Sequence, residues 1–255
     1  MLPLAIELPP PERPNRGLLA SARPLGGGIE WWRGVKFRSD GCSPPQVMGP
    51  CPDGVSHAPH RPGSTTFWPV GIRQGATCST LSGSDMEELA GNRLEWSREW
   101  TLGRELQSGF WSDRDAPPDA DGNPNLDAGT VVEGATHDVV DALGKLEEAG
   151  AAELHGAQLV IHAPPRAATH LLDRRVIWQD GRTWRTVTGS VFIVSPGYTG
   201  VDMYVTGQVF ASTGRREVLV DHDREVNDTI AWAEEVGIAL FDPCWHGKIT
   251  TDLTV

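Results

Sequence analysis

The chain has little lysine, little cysteine and no long apolar run, and each scarcity closes off a class of function. Three of its 22 basic residues are lysine (Lys36, Lys145, Lys248), and 34 acidic residues bring the formal net charge to −12. Affinity for a phosphate backbone rests on clustered Lys and Arg, so a nucleic-acid binder is disfavoured. Four cysteines, at 42, 51, 78 and 244, are too few and too scattered to staple 255 residues as a disulfide framework. No stretch approaches the roughly eighteen apolar residues of a membrane span. The opening MLPLAIELPPPERP has neither the basic start nor the apolar centre of a signal peptide, which points to a protein made and kept in the cytoplasm. Nucleotide and hydrolase signatures are missing as well: there is no GxxxxGK[ST], no GxGxxG between a strand and a helix, no GxSxG and no HExxH.

What is present is the composition of a folded soluble protein, 39% apolar and 22% charged, long enough for one large domain or two modest ones. The 29 glycines and 20 prolines require abundant loops and extended segments, and ten tryptophans suit extensive packed or inter-subunit surface. Residues 1–30 carry Pro3, Pro9, Pro10, Pro11, Pro14 and Pro24 and then three glycines, which reads as an extended N-terminal arm. Residues 31–83 read as an extended projecting loop region, with DGCSPPQVMGPCPDGVSHAPHRPGS at its centre, and 84–255 as the α+β core.

In that core, Ser84 and Glu87 form a capping box before a helix that carries Met86, Leu89, Leu94, Trp96, Trp100, Leu102 and Leu106 and stops near Gly109. A second helix is predicted from about Thr136 to Glu148, with Val139, Val140, Leu143, Leu146 and Ala149 in one stripe and Gly150 as its C-terminal cap. AQLVIHAPP is a short buried strand, and PRAATHLLD a short helix with Pro165 in its first turn. VIWQDGRTW is a hairpin at Asp180-Gly181, SVFIVS a strand, PGYTG a turn and MYVTGQVFAS another strand. TIAWAEEVGIALF and KITTDLTV both alternate and flank DPCWHG, which predicts a long terminal hairpin with Ile238 and Leu240 on its buried face.

Asp242, Cys244 and His246 at the tip of that hairpin resemble a nucleophile or metal site, but three adjacent side chains on a turn lack the positioned base and third group that a catalytic cysteine needs. A structural tip is the expectation, with Cys244→Ser tolerated. Cys42, Cys51, His57 and His60 are the right residue types to close a tetrahedral zinc site, but their spacing matches no common zinc module. Free thiols or a redox-dependent disulfide between Cys42 and Cys51 fit those residues better. Asp113, Asp115, Asp119 and Asp121 lack the ligand order of a calcium loop and read as a solvated acidic loop.

The order of elements resembles the major capsid proteins of tailed bacteriophages, of the Hong Kong 97 capsid fold shared with encapsulins. The segments that carry the resemblance are FWPVGIRQGATCSTLSGSDMEELAGNRLEWSREWTLGRELQSG, which is similar to a pattern in capsid-like proteins of actinobacterial phages, ATHDVVDALGKLEEAGAAELHGAQLVIHAPPRAATHLLD, which looks like that fold's spine helix with the strand and short helix after it, WRTVTGSVFIVSPGYTG, and the closing EVLVDHDREVNDTIAWAEEVGIALFDPCWHGKITTDL.

The resemblance spans roughly residues 65–255. It implies an α+β Hong Kong 97-like fold and a structural virion protein that assembles as a homo-oligomer into hexamers and pentamers of an icosahedral head enclosing double-stranded DNA. It implies no enzyme activity, cofactor, metal or catalytic residue, and no membrane. Portal and decoration proteins are the further partners it allows, and the location is the virion after synthesis in the bacterial cytoplasm. Lysine–asparagine cross-links known in some members are assigned to no residue here. A tail or head-completion protein, and a metal-dependent enzyme using the residues around Cys42, stay open as alternatives.

Overall fold

The computed structural model describes residues 17–25, 34–38, 64–78, 83–111, 122–223 and 228–253. Its helices are α1 (Leu18–Ser21), α2 (Gly83–Ser108), α3 (Val139–Glu153) and α4 (Pro165–Asp173), with a 3-10 turn at Leu126–Ala128. Strands β1 (Val35–Arg38) and β2 (Ser64–Phe67) form a two-stranded antiparallel ribbon. Strand β3 (Val70–Cys78) pairs with one edge of the 14-residue β12 (Asp228–Phe241). The other edge of β12 takes β11 (Glu217–Asp223) and then β10 (Val209–Thr213), making a four-stranded antiparallel sheet. The second sheet has seven strands in the order β4 (Thr130–Asp138), β13 (Gly247–Asp252), β9 (Asp202–Thr206), β5 (Val160–Ala163), β8 (Val191–Val194), β7 (Thr183–Thr186) and β6 (Ile177–Asp180). Two of its pairings, β4 with β13 and β5 with β8, are parallel.

The helix expected after Ser84 runs from Gly83 to Ser108. Gly109 stops it with φ 64°, a left-handed turn in which its N–H reaches the Glu105 carbonyl at 2.7 Å. The core lies in two layers. Met86, Ala90, Leu94, Leu102 and Leu106 of α2 pack on the four-stranded sheet and on one face of the seven-stranded sheet, through Val160, Ile193 and Tyr204. Leu143 and Leu146 of α3 and Leu171 of α4 cover the opposite face of that sheet, through Ile161, Phe192 and Met203.

Several expectations are corrected. Residues 130–138 are strand, and α3 begins at Val139, where the Asp138 carboxylate accepts the Val140 N–H at 2.9 Å. The helix runs through Gly150 to Glu153, and Gly150 serves close packing: a Cβ there would lie 2.9 Å from Val205 Cγ2. The longest helix is α2, at 26 residues, whereas the 139–153 segment that resembled a spine helix covers the seven-stranded sheet. MYVTGQVFAS is two strands, β9 and β10, in different sheets.

The terminal hairpin does not form either. The last five residues of β12 are hydrogen-bonded to β10, while β13 lies in the other sheet between β4 and β9. Alternation states that a segment is a strand and is silent about its partner. Ile238 and Leu240 are nevertheless buried, at 1% and 0% exposure.

The N-terminal segment is likewise rooted in its own subunit. Leu18, within the stretch read as an extended arm, is fully buried in the core, and Arg23 bridges to Phe210 of β10. Deletion of residues 1–28 therefore removes core. Strand β3, within the stretch assigned from sequence to the projecting loop region, is an integral strand of the four-stranded sheet.

Candidate functional site

Of the residues singled out from sequence as candidate chemistry, Asp242, Cys244 and His246 are among the described residues. Asp242, Cys244 and His246 lie in the link that carries the chain from β12 to β13. The Asp242 carboxylate accepts the Cys244 N–H at 3.1 Å, and His246 stands edge-on to Phe241 with ring centroids 4.9 Å apart. Nε2 of His246 meets the Asn125 carbonyl at 3.1 Å, and burial lowers its pKa. Cys244 is disulfide-bonded, which takes its sulfur out of nucleophilic chemistry. The expected tolerance of Cys244→Ser gives way accordingly, because the change removes a cross-link.

Cys42, Cys51, His57 and His60, and with them Asp113, Asp115, Asp119 and Asp121, lie outside the described residues. Among the described residues no group of three or more His, Cys, Asp or Glu side chains is placed to hold a metal, and no helix is long and apolar enough to cross a membrane.

What the structure does bring together is a polar seam along the last three turns of α2. Glu99, buried to 4% exposure, accepts the backbone N–H groups of Leu18 and of Leu19, the latter at 3.0 Å, and so fastens α1 to α2. Burial raises the Glu99 pKa, and those two backbone donors pull it back. Glu105 accepts from the Trp111 N–H at 2.8 Å and from Asn123 Nδ2 at 2.9 Å. Asn123 in turn pairs with both backbone groups of Trp68, at 2.5 and 2.8 Å, as a neighbouring strand would. The Gln107 amide treats Thr199 the same way, with both bonds at 2.9 Å, and also donates to the Tyr204 hydroxyl, which donates to Asp127 at 2.6 Å.

Between these bonds α2 comes down onto the turn after β8. A Cβ on Gly103 would lie 2.9 Å from Ser195 Cβ, and one on Gly197 would overlap the Trp100 carbonyl and the Arg104 amide. The seam joins the two sheets.

A second polar cluster lies within the seven-stranded sheet. His162, wholly buried on β5, makes bonds of 2.8 Å to the Tyr198 hydroxyl and 2.9 Å to Thr206 Oγ1, which itself donates to the Gly207 carbonyl. That bond leaves Thr206 as acceptor, so Nε2 carries the proton and Nδ1 accepts from Tyr198. Burial, with His246 adding to it, lowers the His162 pKa to about 3, and burial raises that of Tyr198. The imidazole is neutral and satisfied, which is the arrangement of a structural histidine.

The surface is where large apolar groups remain free of the core. Trp96, Trp100 and Phe110 stand exposed around the end of α2, with Trp111 edge-on to both Trp100 and Phe110. Leu219 lies opposite Trp232 on the four-stranded sheet with Val236 further along the same strand as Trp232, and Leu172 on α4 and Trp178 and Val187 at the β6–β7 hairpin are exposed as well. Sequence reading missed Glu99, Glu105 and Gln107 because a polar residue on a helix is read as solvated. The signal available was Gly103 amid "TLGRELQ", a small residue that lets another backbone come close.

No protein-family model and no curated protein matches the sequence. Solved structures do match, along nearly the whole chain. The capsid of a native GTA particle is 13% identical with a TM-score of 0.60, covering 98% of this chain and 95% of its own. A structure from Gordonia phage Cozz is 13% identical with a TM-score of 0.58, covering 99% and 92%. The bacteriophage PhiM1 mature capsid is 8% identical with a TM-score of 0.51, covering 100% and 93%. The chain has the Hong Kong 97-like capsid fold, with mixed helices and sheets as the resemblance implied.

Proposed function

We propose that this chain is a major capsid subunit that self-assembles into the hexamers and pentamers of an icosahedral head enclosing double-stranded DNA. The observation that carries the reading is likeness of fold over at least nine-tenths of both chains to subunits of native GTA and PhiM1 capsids. The surface supports it: large apolar and aromatic side chains stand outside a core that already closes around α2, and such patches are characteristic of surfaces that become covered. Polar clusters that fasten backbone to backbone fit a structural, non-enzymatic role. A net charge of −12 keeps the wall from adhering to enclosed DNA, which it surrounds without reading its sequence.

On this reading the protein is made in the host cytoplasm and resides in the virion, with portal and decoration proteins as its further partners. Residues 1–16 serve as an arm leaving the root at Gly17, the stretch between β1 and β2 as the projecting loop, and the two sheets as the wall. The test is sedimentation and negative-stain microscopy of the purified full chain. Closed shells or capsomer rings are expected, and a monodisperse monomer at high concentration overturns the assignment.

A further inference from the structure

We propose that the pocket between α3, the segment leading into β5 and the β7–β8 turn binds an aliphatic ammonium compound, with a linear diamine as its best fit. The pocket has a volume of about 510 Å³, the size of a small-molecule site. Its polar wall comes from Glu147, Glu148, Gln158, Thr188 and Ser190, and Ala151, Ala157 and Leu159 supply apolar surface.

The site is built around Glu147, which is 9% exposed. Its Oε1 accepts the Thr186 hydroxyl at 2.5 Å and the Thr188 hydroxyl as well. Thr186 Oγ1 accepts the Ser190 N–H at 3.1 Å, and the Gly189 N–H, at φ 95°, reaches the Thr186 carbonyl at 2.9 Å. The turn is thus fixed before any ligand arrives. Oε2 of Glu147 has no partner among the described residues. Nearby cations are engaged elsewhere: Lys145 pairs with Glu133 and Asp141, and Arg185 with Asp180 and the Gly189 carbonyl. A carboxylate buried this far is ordinarily paired with a cation, and here it lines a pocket instead.

Chemistry selects the occupant. None of the described residues that line the pocket is basic, so an anion gains nothing there, and a net charge of −12 draws cations. A divalent metal ion is under-supplied, because among the described residues no group of three His, Cys, Asp or Glu side chains is placed to hold one. An ammonium donates three hydrogen bonds, which Glu147 Oε2 and the free lone pairs of the Thr188 and Ser190 hydroxyls can accept. Its methylene stem packs on Ala151, Ala157 and Leu159. Glu148, exposed beside buried Glu147, offers a partner to a second ammonium.

The site belongs to the single subunit, so its test does not depend on assembly. The purified full chain is titrated calorimetrically with putrescine at constant ionic strength, and in parallel with calcium and magnesium chloride. Saturable binding of one diamine per chain is expected, weakened about thirtyfold or more by Glu147→Gln, which keeps the shape of the side chain and an acceptor for the two threonines. Ala151→Leu, at an exposed position of α3, fills the pocket without touching those bonds and is expected to abolish binding; it decides the matter if Glu147→Gln does not fold. Heats that never saturate, binding that either variant keeps, or a calcium or magnesium ion that takes the place of the diamine overturn the proposal.

Discussion

The two sheets bury their strands in different ways. In the four-stranded sheet β3 alternates, with Val70, Ile72 and Ala76 buried and Gly71, Arg73 and Gly75 exposed. In the seven-stranded sheet β5 is buried at all four positions, because α2 closes one face and α3 with α4 the other. Strand β12 takes part in both regimes: it alternates until Val236 and is buried throughout from Gly237 to Phe241, where the sheets converge.

The open sheet also inverts the usual assignment of sizes. Ala231 and Ala233 point at α2, while Trp232, Leu219 and Val236 point outward, with the Arg73 guanidinium 5.2 Å above the Trp232 ring. Alanines let the helix lie close. Large apolar groups on the bare face gain their burial only when something else covers it, so on the proposed capsid reading this face is the one expected to be covered on assembly.

The contrast can be broken most strongly at Leu240, buried where the sheets meet. Leu240→Asp places an uncompensated charge in the core and is expected to cost more than about 4 kcal/mol, read as loss of folded protein by circular dichroism.

Next in size is the acid response of the seven-stranded sheet. His162 titrates near pH 3 when folded against an ordinary 6.5, so the unfolded chain binds the proton first. Its contribution is intact above pH 6.5 and declines as pH falls toward 3, by about 1.4 kcal/mol per pH unit or roughly 3.5 kcal/mol between pH 6.5 and pH 4. Thermal melts from pH 7 to pH 4 should show that slope, and His162→Asn should flatten it while lowering stability at pH 7.

Gly197→Ala tests the junction between the two regions. Its Cβ would meet α2 backbone, which cannot rotate away, and about 3 kcal/mol or more of destabilisation is expected in a denaturant titration. The smallest effect on the subunit should come from the open face. Leu219→Asp, at a site 48% exposed, is expected within about 0.5 kcal/mol of the parent in the same titration and yet to suppress assembly in light scattering. Equal assembly by the variant would show that this face stays uncovered.

Elements whose neighbours in sequence supply their partners were legible in advance. The helix of residues 83–108, the Pro165 helix and the Asp180-Gly181 hairpin each needed only periodicity, a first-turn proline or a turn residue. The β12–β13 hairpin failed because each strand finds its partners at a distance, 237–241 with 209–213 and 247–250 with 202–205. The rooting of residues 17–25 was hidden for the same reason: proline and glycine content forbids regular structure but says nothing of Glu99, 80 residues away, which accepts the Leu19 amide. Gly150 misled because the permissiveness that suits a helix end also suits close packing.

By itself the sequence determined what each segment is. Alternation, 3.6-residue stripes, prolines and glycines are local properties of the chain, and they hold wherever the segment ends up. The tertiary structure decided what each segment touches: which edge of β12 is taken by β10, that the polar side chains Glu99, Glu105 and Gln107 of α2 are buried, that Leu18 is core. Those outcomes depend on contacts between residues far apart in the chain, where close backbone approach and shared hydrogen bonds choose among strands and helices that the local pattern leaves equivalent.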